Sequence, residues 1–300
     1  MAGAAVTEGQ GGGRAAGVFF MLLAGGCLSI SGLIVRHIET ASAWQVMFYR
    51  AVGMTVVLLL ILAAKERGRV LAPLRAMGWS GLFIATVLAS SLILYLFALT
   101  LTAVANVMFV ISAGPFFAAV LGWIILKERV AALTWAAIAA AIVGMGIMFA
   151  DGFASGQPIG LIVALGAAVT YAFVFVLLRR FRHIDMLPAL IVAAVIAGIV
   201  SLTAAGDLAI SRHDMLLALF MGAVQSAGGF GFIMLGARRV RAAEGALLLL
   251  DEPILAPLWV WIFVNEVPSS VALVGGAIVF GAVLVQALAA LIRERRTAAA

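Results

Sequence analysis

The sequence predicts an all-α integral membrane protein whose ten transmembrane helices form two inverted five-helix repeats. Three observations carry this: apolar runs of membrane-spanning length, an uneven division of Lys and Arg between alternate loops, and a motif that returns at a fixed offset. Composition sets the frame. The chain has 300 residues, 65% of them hydrophobic and 11% charged, with a mean hydropathy of +1.23, whereas soluble domains are about 45–50% apolar.

Several functions are excluded by what the polar minority can do. A net charge of +6 and a pI near 10.4 would suit a nucleic-acid binder only if the basic residues clustered on one soluble face; here they sit in short gaps between apolar runs. The single cysteine, Cys27, cannot form an intramolecular disulfide, and the two lysines, Lys65 and Lys127, lack a phosphate-loop context, which argues against ATP hydrolysis. His37, His183 and His213 are scattered through loops, so neither a metal site nor a cofactor is expected. An intramembrane enzyme would need an activated nucleophile, and Cys27 has no histidine within the spans to serve it. No catalytic residues are therefore assigned.

The elements follow in order. Residues 1–13, rich in Gly and Ala, read as a disordered tail. Ala24-Gly25-Gly26-Cys27 is similar to a lipoprotein cleavage box, but Leu is missing three residues before the cysteine and the apolar run continues to Val35, so neither it nor a cleaved signal is expected. Runs of roughly 20 residues, enough to span a bilayer, lie near 17–35, 44–64, 78–100, 103–126, 131–150, 159–178, 186–205, 216–235, 244–264 and 270–292. Backbone groups must be paired inside lipid, and these runs lack the alternation of barrel strands, so each is read as a helix.

The basic residues test that count. One side carries Arg14, then Lys65, Arg67, Arg69 and Arg75, then Lys127 and Arg129, then Arg179, Arg180 and Arg182. It continues with Arg238, Arg239 and Arg241, and ends with Arg293, Arg295 and Arg296. The other side holds Arg36 and Arg212, and Arg50 falls within the second span. By the positive-inside rule the arginine-rich side is cytoplasmic and both termini lie there, in what reads as a bacterial inner membrane. Trp44, Trp79, Trp123, Trp135, Trp259 and Trp261 stand toward span ends, where interfacial belts favour them.

The repeat appears at an offset of 138 residues: Trp123-Ile124-Ile125-Leu126-Lys127-Glu128 matches Trp261-Ile262-Phe263-Val264-Asn265-Glu266, and Pro115 matches Pro253. Five spans per copy is an odd number, so the second copy enters from the opposite side. That places Glu128 in a basic loop and Glu266 in a loop without Lys or Arg. The units are residues 14–152 and 153–293, followed by a cytoplasmic tail over 294–300. Inverted repeats of this kind are a plan of secondary transporters, which hold substrate near the midplane between the halves.

The paired proline and Trp-to-Glu motifs ending the fourth and ninth spans, Arg50 in the second and the ten-span length together resemble the drug/metabolite transporter superfamily, EamA type. Within it the chain is similar to YddG-type amino-acid exporters. The resemblance implies a central cavity formed by the first, third, fourth, sixth, eighth and ninth spans, with the other four as an outer scaffold. It also implies export of small metabolites, neutral or aromatic amino acids foremost, by alternating access; other drugs or metabolites, or a channel-like facilitator, are the alternatives. The implied partners are the substrate and the lipid bilayer, with the chain a monomer or homodimer.

Ionisable groups in a membrane cost about 2.5–3.5 kcal/mol on insertion scales, so each calls for a reason. Asp251 and Glu252 lie within the ninth span and, about 100° apart on a helix, cannot point the same way. Either is a candidate for a substrate ammonium group or a proton; alternatively Glu252 answers backbone carbonyls freed by Pro253. Arg50 is read as a structural tie or as snorkelling outward, with a substrate carboxylate as the other reading. Tyr95, Ser91, Ser112, Tyr171, Gln225 and Phe230 supply polar and aromatic candidates on the implied cavity spans. Pro115, Pro253, Glu128 and Glu266 are assigned structural or gating roles. The glycines in Gln225–Gly231 suggest close packing or a hinge, and Ala140/Gly144 with Ala277/Gly281 suggest helix packing or a dimer contact.

Overall fold

The computed structural model describes residues 3–154, 156, 158–181 and 184–299, with side chains described between residues 13 and 293. Arg182 and His183 lie outside the described residues, as do the side chains of Arg295 and Arg296. Among the described residues ten helices are long and apolar enough to cross a membrane. They are α1 (Gly13–Arg36), α2 (Ala43–Lys65), α3 (Gly78–Leu101), α4 (Val104–Leu126) and α5 (Ala132–Ala154), then α6 (Pro158–Arg180), α7 (Met186–Ala205), α8 (Arg212–Gly236), α9 (Ala242–Val264) and α10 (Ser270–Arg293). Backbone from Gly3 is helical and continuous with α1. At the other end the helix of α10 continues to Ala299.

Side chains cap the helices where the chain re-enters the membrane. Ser42 and Gln45 form a reciprocal capping box at the start of α2. Ser211 Oγ accepts from the Asp214 amide at the start of α8, and Asp185 caps α7. The Asp185 carboxyl is raised by burial, but a 2.5 Å hydrogen bond from Lys65 Nζ and one from the Leu187 amide outweigh that and leave it below its ordinary range.

The pattern of helix contacts displays the inverted symmetry. Among the extensive interfaces, α5 with α10, α3 with α6, α2 with α7 and α1 with α8 each join the two repeats. Exchanging the repeats maps the first and third of these onto themselves and interchanges the other two. The ends of α4 and α9 match as well: Lys127 and Asn265, the equivalent residues after the tryptophan motifs, both adopt left-handed backbone with φ 57°.

Exposed apolar side chains such as Leu60, Ile142, Phe153 and Phe263 face outward, as lipid contact requires. Without a hydrophobic drive between helices in lipid, close packing of small residues holds the bundle. A Cβ on Gly144 would lie 2.6 Å from Gly275 O, and one on Gly275 the same distance from Gly144 O, so α5 and α10 touch backbone to backbone. Gly281 has open space around it, so in the second repeat this contact is made by Gly275 rather than by the Ala277/Gly281 spacing. Similarly, α2 and α8 meet at Gly53 and Gly222, where an added Cβ would stand 2.5 Å from Leu219 O and 2.0 Å from Arg50 O. Gly228 has nothing within 4 Å, so the tightest approach of α8 lies before the glycine run singled out in the sequence.

Candidate functional site

Four of the spans are interrupted. α9 consists of helices Ala242–Leu248 and Asp251–Val264, and α4 of Val104–Ser112 and Gly114–Leu121 followed by a π-helical turn, Gly122–Leu126. Pro115 and Pro253 each sit in the first turn of the second half-helix, where the missing N–H costs nothing. α8 carries a π-helical turn over Met221–Ser226, and α1 is broken at Ile30. Such departures leave backbone groups to be satisfied by side chains and concentrate at functional positions.

The breaks surround a cavity of about 90 Å³ between the repeats. From the first repeat come Leu28 of α1, Ser91, Leu92 and Tyr95 of α3, Ile111 of α4 and, unexpectedly, Arg50 of α2. From the second come Ala167 and Tyr171 of α6, Gln225 and Phe230 of α8 and Glu252 of α9. All six spans expected to form the cavity contribute to it. Of the readings offered for Arg50, the geometry has a tie within the bundle and not outward snorkelling: the side chain is 2% exposed, and the Gly53–Gly222 contact brings α8 close enough for Ser226 to receive it.

A hydrogen-bonded chain holds that guanidinium. Arg50 Nε donates to Ser226 Oγ at 3.1 Å, Ser226 Oγ donates to Gln225 Oε1 at 2.8 Å, and Gln225 Nε2 donates to Leu28 O at 3.2 Å. Gln225, a candidate for reaching substrate, is thus occupied in joining α8 to α1. Arg50 Nη1 donates weakly to Leu92 O at 3.4 Å, and its Cζ lies 5.8 Å from the centre of the Tyr95 ring. Tyr95 shares a 2.5 Å hydrogen bond with Ser31 at the α1 break. Ser91 donates to Ala167 O and so ties α3 to α6. Tyr171 stacks edge-on against Phe175.

Two candidates fall outside the cavity wall. Ser112 bonds to Phe109 O in its own helix, as serines near a helix end commonly do. Asp251 points at α1, where a Cβ on Gly25 would collide with its carboxylate, and its Oδ1 is buried without a partner. Glu252 faces the cavity and makes no side-chain hydrogen bond or ion pair among the described residues, so it does not answer the carbonyls near Pro253.

Glu128 and Glu266 form ion pairs related by the repeat symmetry. Glu128, following α4, meets Arg179 of α6 at 2.9 Å, and Glu266, following α9, meets Arg36 of α1 at 2.5 Å. Each bridges the two repeats, one at each membrane face. The Arg36 pair is the more enclosed: Arg36 also donates to Leu99 O and Thr102 O, and Glu266 Oε1 accepts from the Val104 amide at 2.7 Å. On the same face Asp214, fully buried, accepts from the amides of Glu39, Thr40 and Ala41 and from Thr40 Oγ1. Sequence reading missed Arg36, Arg179 and Asp214, since their partners lie far away along the chain.

A helical membrane protein with a cavity at the junction of inverted repeats, mostly apolar with a few polar groups, has the architecture of a secondary transporter. The chain belongs to the EamA-like transporter family, whose profile it matches over residues 15–150 and 158–288. It is 23% identical to human solute carrier family 35 member G1 over 87% of this chain and 76% of that protein. A solved crystal structure superposes with a TM-score of 0.64 over 90% of this chain and 97% of its own, at 18% identity, a likeness of fold alone.

Proposed function

We propose that the protein is a secondary exporter of small amphipathic metabolites, neutral and aromatic amino acids foremost, driven through alternating access. The cavity at the repeat junction carries this reading. It is walled by six spans, mostly apolar and aromatic, with a few fixed polar groups, the composition of a small-molecule site. In this reading the arginine-rich face is the cytoplasm of a bacterium and both termini lie there. The two symmetry-related ion pairs act as latches, one parting while the other holds. Asp251, with its buried and unpartnered Oδ1, is the group proposed to carry a coupling proton.

Counterflow of labelled neutral amino acids into proteoliposomes tests the reading. Saturable exchange at rates below those of channels is expected, and Asp251→Asn is expected to remove its dependence on a pH gradient. Absence of exchange for every amino acid offered would refute the substrate assignment, and non-saturating flux would point to a channel-like facilitator.

A further inference from the structure

The central cavity is walled by two ionisable side chains, one basic and one acidic, that do not pair with each other. Arg50 enters from the first repeat and Glu252 from the second, both on the cavity wall. All five ion pairs among the described residues lie elsewhere. Arg50 is 2% exposed, and its fixed bonds engage Nε and, weakly, Nη1; Nη2 has no partner among the described residues. Glu252 likewise has no hydrogen-bond partner for its carboxyl group among the described residues. Burying an ionisable group without an ionic partner is costly, and here the cavity wall carries two, with Tyr95 within electrostatic range of both.

We infer that Arg50 and Glu252 are the opposite poles of a site for zwitterionic α-amino acids, with Arg50 receiving the carboxylate and Glu252 the ammonium group. This rests on the reading of the cavity as an amino-acid transport site and adds to it which residue reads which end. The guanidinium is suited to a carboxylate because its planar fork donates two parallel hydrogen bonds. The Gln225–Ser226 chain fixes Nε and so aims the rest of the fork. Tyr171 and Phe230 provide an apolar surface for the substrate side chain. Since the poles belong to different repeats, a bound zwitterion bridges the two halves, while an amine or a simple carboxylate engages only one.

The test is competition against exchange of a labelled neutral amino acid in proteoliposomes, using the unlabelled amino acid, its decarboxylated amine and its deaminated acid. The wild type should prefer the amino acid over both analogues by about 10- to 100-fold, the worth of one hydrogen bond to a charged group. Glu252→Gln should erase the preference over the deaminated acid and retain that over the amine; Arg50→Gln should do the reverse. Arg50→Lys, which keeps the charge without the fork, covers the case in which Arg50→Gln fails to fold, and should lower the preference over the amine only partly. Equal competition by an analogue in the wild type, or variants with unchanged preference ratios, would overturn the inference while leaving amino-acid transport in place. No exchange of any amino acid by the wild type would overturn both.

Discussion

Glu266→Gln removes one charge from the more enclosed of the two inter-repeat latches while keeping its shape. In the native contact Arg36 Nε meets Glu266 Oε2 at 2.5 Å, and the side chains are 22% and 18% exposed. A hydrogen bond to a charged group contributes about 1.5–3 kcal/mol, a neutral one about 0.5–1.5. Arg36 keeps its two carbonyl acceptors and the Val104 amide keeps an oxygen, so the loss should be about 1–2 kcal/mol. If the contact exists only while this face is closed, that loss moves the closed-to-open ratio about 5- to 30-fold. The assay uses Ser91→Cys in a Cys27→Ala background, labelled by an impermeant thiol reagent from the Arg36 face. Labelling should accelerate by about tenfold. The symmetry mate is a control, because the Glu128–Arg179 side chains are 45% and 47% exposed and such surface pairs contribute roughly 0–1 kcal/mol. Glu128→Gln should therefore change access from its own face by less than about fivefold. Unchanged labelling in Glu266→Gln, or a larger effect of Glu128→Gln, would refute the latch argument.

Asp214→Asn removes the charge and replaces one carboxylate oxygen by an amide donor, which in its better orientation faces the Glu39 N–H while the remaining oxygen keeps Thr40 N, Thr40 Oγ1 and Ala41 N. It should cost about 2–4 kcal/mol, seen as a lowered unfolding temperature in detergent; melting together with the wild type would refute the clamp. Gly222→Ala puts a Cβ 2.0 Å from Arg50 O and 2.7 Å from Met54 N, backbone atoms that cannot swing aside. Stability should fall by about 1–3 kcal/mol and counterflow should drop, whereas Gly228→Ala, in open space, should leave both unchanged.

Much of this architecture is legible in one dimension. Span number and relative direction follow from run length and from where Lys and Arg fall, since a bilayer admits only certain lengths and sorts cations by side. The inverted repeat follows from the odd, five-span offset that carries Pro115 onto Pro253 and Glu128 onto Glu266. Candidate polar residues are equally visible, because each is exceptional in an apolar span. Their directions are not. α2 is apolar on every side, so no amphipathic stripe shows whether Arg50 faces lipid, scaffold or cavity; the Gly53–Gly222 contact decides that. Asp251 and Glu252 must diverge by about 100° on a helix, but only the packing of α9 decides that Asp251 is aimed at Gly25 and Glu252 at the cavity. Arg36 and Arg179 look like ordinary span-end arginines until folding brings Glu266 and Glu128 to them. The sequence by itself determined how many helices cross the membrane and in what sense, because those depend on transfer from water to lipid, a property of each segment alone. The tertiary structure decided which side chains share a cavity and which pair across the repeats, because inside lipid every helix face is apolar and only packing distinguishes them.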